Sequence, residues 1–140
     1  MAAFTLHSEE NSTKASLKWL FEFLSDFQNF ERILPEDKVE GFTYSKEQCS
    51  FTIKGITPMT VKLTDKKPFE FILFSSDGLG KFNFELKANF IGNSEEQGKC
   101  SVFLSGDLNP VILGFAKEPL QQLVNTMSKR LSEMDERKIA

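Results

Sequence analysis

Residues 109–134, NPVILGFAKEPLQQLVNTMSKRLSEM, decide how the rest of the chain is read. Apolar residues fall at Ile112, Phe115, Ala116, Leu120, Leu123, Val124, Met127, Leu131 and Met134. Steps of three and four lay one stripe along one side of a helix. Lys117, Glu118, Gln121, Gln122, Asn125, Lys129, Arg130 and Glu133 fall between them and keep the other side wet. Asn109 is suited to the N-cap, and Pro110 to the first helical position, where no N–H is needed. At about 1.5 Å per residue the helix would run roughly 35–40 Å, enough to cross a whole domain. Pro119 removes one backbone bond from its interior and should bend it. One kinked helix is favoured, because the apolar spacing runs through the proline. The alternative is a helix proper that begins near Pro119, with residues 110–117 as a separate turn.

Upstream of this helix the period changes to two. Six strand-like segments cover 39–44, 48–54, 59–64, 69–76, 81–91 and 99–106, separated by turn residues. The fifth alternates most strictly. Phe82, Phe84, Leu86, Ala88 and Phe90 face one way; Lys81, Asn83, Glu85, Lys87 and Asn89 face the other. Segment 69–76 is apolar on both faces, which is consistent with cover on both. Asp65-Lys66-Lys67-Pro68 reads as a turn, and Asp77-Gly78-Leu79-Gly80 as a hairpin loop. Connections this short pair neighbouring strands antiparallel.

The N-terminal third reads differently. Residues 3–7 form a short strand, and Asn11 or Ser12 caps a helix that runs to about Phe23. Ser25-Asp26 is a break and a second cap, followed by a short helix over 27–33 that ends before Leu34-Pro35. The sum is an α+β fold in the order β-α-α-β-β-β-β-β-β-α. A sheet with one apolar face needs a cover, and only the C-terminal helix is large enough. The seven-stranded sheet must therefore curl around that helix.

A length of 140 residues fits one domain over 1–140. A net charge of −3 argues against a nucleic-acid partner, which would need a basic surface. No apolar run reaches the length of a membrane span. Residues 1–13 lack a basic region followed by an apolar one, so no secretory signal is expected. The Asn11-Ser12-Thr13 glycosylation match is better explained by capping. Cys49 and Cys100 lack metal-like spacing and read as two reduced, buried thiols in a cytoplasmic protein. Fifteen Phe stand against one Trp and one Tyr, which makes the interior broad and dry. Such an interior is either a packed core or the lining of an apolar cavity.

Candidates for chemistry are few. His7, the only histidine, ends a strand beside Ser8-Glu9-Glu10, near solvent, and is a poor candidate for a general base. One His and two distant Cys do not make a zinc site, and no metal or cofactor is expected. Gly78-Leu79-Gly80 is followed by strand alternation, not the helix that a dinucleotide loop needs. Asp26, Glu31, Glu36, Asp37 and Glu95-Glu96 read as solvated caps and turns. The inner polar groups are small: Thr43, Ser75 and Ser101, with Tyr44 unassigned. A cavity without a titratable group makes proton transfer difficult to stage.

Two stretches carry a family likeness. Residues 16–35, SLKWLFEFLSDFQNFERILP, are a helix pair closing in Leu-Pro after a short strand; residues 108–120, LNPVILGFAKEPL, open the last helix. In layout and hydrophobic pattern the chain resembles the START-related, or SRPBCC, superfamily, which includes the birch-pollen allergen proteins and bacterial polyketide cyclases. The resemblance implies a helix-grip fold with an apolar cavity between sheet and C-terminal helix. Ligands of that family include lipids, sterols, polyketides and plant hormones; some members are enzymes, others carry or sense. On this basis Phe51, Phe71, Phe82, Phe84 and Phe115 are the candidate ligand-binding residues, the alternative being that they fill a solid core. The expected function is non-enzymatic binding or transport of a small hydrophobic, lipid-like or polyketide-like molecule. One alternative is a polyketide cyclase or aromatase that uses Tyr44, His7 or a serine on a carbonyl. Another is a protein-interaction module, as in co-chaperones of similar fold. Edge strands leave a homodimer open.

Overall fold

The computed structural model describes residues 2–76 and 82–135. Its strands are β1 (Ala2–His7), β2 (Asn11–Ser12), β3 (Val39–Tyr44), β4 (Gln48–Ile53), β5 (Thr57–Lys67), β6 (Phe71–Ser76), β7 (Asn83–Ile91) and β8 (Lys99–Leu108). All pair antiparallel in one sheet, in the order β1-β8-β7-β6-β5-β4-β3, with the short β2 also on β8. From β3 to β8 this is a meander, as the short connections demand. The N-terminal strand returns to pair with the last one and leaves β3 as the opposite edge.

Three helices cover the apolar face. Helix α1 (Leu17–Leu24) is capped by the Ser16 hydroxyl, which accepts from the Trp19 amide at 3.3 Å. Helix α2 (Phe27–Phe30) is capped by Asp26, and a 3₁₀ turn (Glu31–Ile33) continues it. Helix α3 (Pro110–Glu133) is one continuous element that runs through Pro119; the Asn109 side chain accepts from the Val111 amide at 2.8 Å. It packs on β8, β1, β2 and the 3₁₀ turn, while α1 reaches β7 and α2 reaches β4.

The α+β layout stands, with corrections. The first helix starts later than expected: Asn11 and Ser12 pair with Cys100 and Lys99 instead of capping it. The cap passes to Ser16, the last polar residue before the apolar run. Asp65 to Lys67 is strand and not turn, because a bulge between Leu63 and Asp65 resets the register and lets β5 continue to Lys67. The turn moves to residues 68–70, where Phe69 adopts a φ of 66°. Thr43 is exposed beyond a second bulge, in β3, and Ser75 faces outward beside Lys62 and Glu85. Neither is an inner polar group, and Ser101, paired with outward Asn89, projects from the outer face as well. The loop expected at Asp77 to Gly80 lies outside the described residues.

Two polar contacts fix α3. Ser128 is fully buried; its hydroxyl accepts from the Asn11 amide at 2.8 Å and lies 3.4 Å from the carbonyls of Glu9 and Cys100. Arg130 donates to the Leu34 carbonyl at 2.6 Å and to the Glu36 carboxylate at 2.8 Å. Its hydrogen bond holds the Glu36 carboxyl below its ordinary value.

Arg130→Ala should cost about 1–2 kcal/mol in urea denaturation, chiefly by orphaning the Leu34 carbonyl. Glu36→Gln should cost less. The carboxylate's contribution is present above its ordinary pKa and is lost as pH falls through the depressed folded value. Wild type and Glu36→Gln should therefore converge in acid; a gap that widens in acid would contradict this.

Candidate functional site

Register places one row of residues across the inner face of the sheet. Phe4 lies opposite Gly106, and Gly106 opposite Phe84. Ser76 lies opposite Val61, Val61 opposite Cys49, and Cys49 opposite Tyr44. The Phe84 amide donates to Ser76 Oγ at 3.2 Å and joins the two halves. The row marks the end of the sheet from which α3 departs, since Gly106 is two residues from the end of β8.

Gly106 has a steric reason. A Cβ there would stand 2.5 Å from the Asn83 carbonyl oxygen and 3.1 Å from the Phe82 ring. The gap lets Phe82 lie between its neighbours, stacked with Phe4 at 6.0 Å and tilted against Phe84 at 4.9 Å. At the other end of the row, the Phe42 and Tyr44 rings are 6.2 Å apart. Tyr44 is paired with buried Cys49, yet it is 53% exposed because β3 is the sheet edge.

Deeper on the same face the space is filled. Phe30 of α2 packs 5.3 Å from Phe74 and 6.3 Å from Phe51, and Phe27 lies 5.8 Å from Phe74. Along α3, Ala116, Leu120, Leu123, Val124, Met127 and Leu131 are all buried. Burial fades toward its start. Ile112 and Leu113 are half-buried, Phe115 is 55% exposed and Val111 75% exposed. Among the described residues, apolar exposure on this side thus falls at the first turns of α3 and at Tyr44 on the β3 edge.

The five candidate phenylalanines separate accordingly. Phe82 and Phe84 meet at the row. Phe51 shares their face but is packed under Phe30. Phe115 lies about 100° around the helix from Ala116, at the margin of the stripe. Phe71 is on the outer face, opposite Lys67 and Asn89, with the Lys87 ammonium 4.6 Å from its ring centre. Segment 69–76 is apolar on both faces, so alternation there could not say which residues point inward. Phe4, Phe42 and Ser76 were not anticipated; for Phe4 and Phe42 a signal existed in the alternation of their short strands.

The described inner face carries no carboxylate, ammonium or imidazole in its buried set. Its thiols are held neutral. Burial pushes Cys49 up to about 12 and Cys100 up to about 11, the latter eased by a hydrogen bond to Ser128. His7 is exposed on the outer face, its ring 5.8 Å from Phe103. Among the described residues no three His, Cys, Asp or Glu side chains gather as a metal ion would require, and no helix is long and apolar enough to cross a membrane.

No protein-family model and no curated protein matches the chain by sequence. Solved structures do match in three dimensions. TTHA0849 from Thermus thermophilus aligns with a TM-score of 0.68 at 16% identity, over 92% of this chain and 94% of its own. Norcoclaurine synthase from Thalictrum flavum, solved with dopamine and hydroxybenzaldehyde, aligns at 0.64 and 13% identity, over 94% and 85%. A START superfamily protein from Mycobacterium smegmatis aligns at 0.59 and 13% identity, over 91% and 98%. Identities this low show the fold: the chain has the helix-grip architecture that its two signature stretches suggest.

Gly106→Ala should destabilise the protein by about 1–3 kcal/mol, because the added methyl's nearest contact is the Asn83 backbone carbonyl, which cannot swing aside. Chemical denaturation measures this; a change below about 0.5 kcal/mol would show that the row tolerates a wider β8.

Proposed function

We propose that this protein binds a small, neutral, apolar molecule against the inner row, admitted between the first turns of α3 and the Phe42–Tyr44 edge. The observation that carries the reading is apolar exposure at this margin: among the described residues Tyr44, Phe115 and Val111 are exposed. Ligand carbon buried against this margin would gain about 25 cal/mol per Å², so roughly 200 Å² supplies a gross 5 kcal/mol before the costs of association. The Tyr44 and Ser76 hydroxyls are the polar groups able to orient it. An anionic headgroup would find no countercharge in the row, and an unpaired buried charge is costly. That favours a neutral molecule. The norcoclaurine synthase likeness supports an aromatic class, since that protein of the same fold was solved with dopamine and hydroxybenzaldehyde. Hydroxyls and neutral thiols, without a carboxylate or imidazole beside them, suit carriage or sensing better than proton-transfer catalysis.

Native mass spectrometry of protein purified from its own host should show a co-purifying neutral mass of lipid or aromatic size. With a ligand so identified, Tyr44→Ala should weaken binding about tenfold while leaving thermal stability nearly unchanged. Clean apo protein, with no saturable binding across lipids, sterols and aromatics, would overturn the reading.

A further inference from the structure

The outer face of a single-layer sheet is expected to be wet and polar. Here β6 and β8 carry apolar rings on it, Phe71 and Phe103. Two outward rows lie side by side. In the first, Phe71 is opposite Asn89 and Asn89 opposite Ser101. In the second, Leu73 is opposite Lys87, Lys87 opposite Phe103, and Phe103 opposite His7. Lys87 and Asn89 on β7 therefore lie between the Phe71 ring on β6 and the Phe103 ring on β8. These side chains line a groove of about 420 Å³, with Glu70 on the β6 side and Glu10 on the β8 side.

The donors of the groove form no ion pair and no side-chain hydrogen bond with the described residues. The Lys87 ammonium lies over the Phe71 ring and forms no ion pair with a described carboxylate. Glu70 is already taken by Lys67 at 3.1 Å. Ser101 is only 4% exposed, lines the groove, and its hydroxyl has no hydrogen-bond partner among the described residues. The Asn89 amide has none either. Three donors of different kinds thus line one groove with two rings: an ammonium, an amide and a hydroxyl that opens onto the groove.

We propose that this groove is a second binding site, for a small planar anion of the aromatic carboxylate class. The ring would lie between Phe71 and Phe103, and the carboxylate would accept from Lys87, Asn89 and Ser101. Glu10, which forms no salt bridge among the described residues, confines the ligand's charge to the Lys87 side. The site is separate from the inner row, because its side chains leave the same strands on the opposite face.

The test is titration of sodium benzoate into the isotope-labelled full chain, followed by two-dimensional NMR at constant ionic strength. Saturable shifts are expected at the amides of Phe71, Lys87, Asn89, Ser101 and Phe103, with a Kd on the order of 1 mM for so small a probe. Lys87→Gln, a surface change compatible with folding, should weaken binding at least about fivefold, and uncharged benzamide should lose as much. Tyr44→Ala should leave benzoate binding unchanged, which keeps this site distinguishable from the inner one. The proposal is overturned by non-saturating shifts up to about 20 mM, by shifts confined to the inner row, or by benzamide or Lys87→Gln matching benzoate on the wild type.

Discussion

The approach of α3 to β8 at Ser128 is the contact on which the rest of the structure depends. The Ser128 hydroxyl lies 3.4 Å from the Cys100 carbonyl, and the Cys100 thiol donates back to the Ser128 carbonyl at 3.5 Å. A residue larger than serine would hold the helix off the sheet. Seated this closely, α3 buries Leu120, Leu123, Val124, Met127 and Leu131. Each such side chain contributes about 1.5–3 kcal/mol on leaving water. Their sum exceeds the roughly 3 kcal/mol that a proline costs inside a helix. That comparison explains why α3 runs through Pro119 without ending.

The same comparison explains where the fold is open. Upstream of Pro119, Ala116 is the only wholly buried residue of α3. Pro119 has no N–H to give the carbonyl of Phe115, so one tie between the two halves of the helix is missing. The first turns are held by the Asn109 cap and by partial burial of Ile112 and Leu113. On the far side of the sheet, β3 is an edge strand whose inner-facing Tyr44 lacks a cover. Clamped at one end of α3 and loose at the other, the fold offers an apolar margin without giving up its core. A helix buried along its whole length would offer none.

Much of this was legible in the sequence because long periodic segments carry redundant information. The stripe of α3, its Asn109 cap, the Asp26 cap and the inward set Phe82 to Phe90 each rest on several agreeing residues. The misread features depend on single events. One bulge after Leu63 keeps Asp65 to Lys67 in the sheet, and another in β3 turns Thr43 outward. Pairing with a strand far along the chain captures Asn11 and Ser12, which local capping rules would assign to a helix. Phe71 was ambiguous for a different reason: its strand is apolar on both faces, so no period distinguishes inside from outside. The candidate site was half legible. Phe82 and Phe84 follow from alternation, but the exposure of Phe115 and Tyr44 depends on how far the helices extend over the sheet.

Amide hydrogen exchange along α3, read residue by residue, tests the central claim most directly. The account predicts that amides from Leu120 to Leu131 exchange only with global unfolding, while those from Leu113 to Lys117 exchange at least about a hundredfold faster through local opening. A molecule bound at the inner row should slow the second group selectively. Uniform protection from one end of α3 to the other, unchanged by any ligand, would contradict the account.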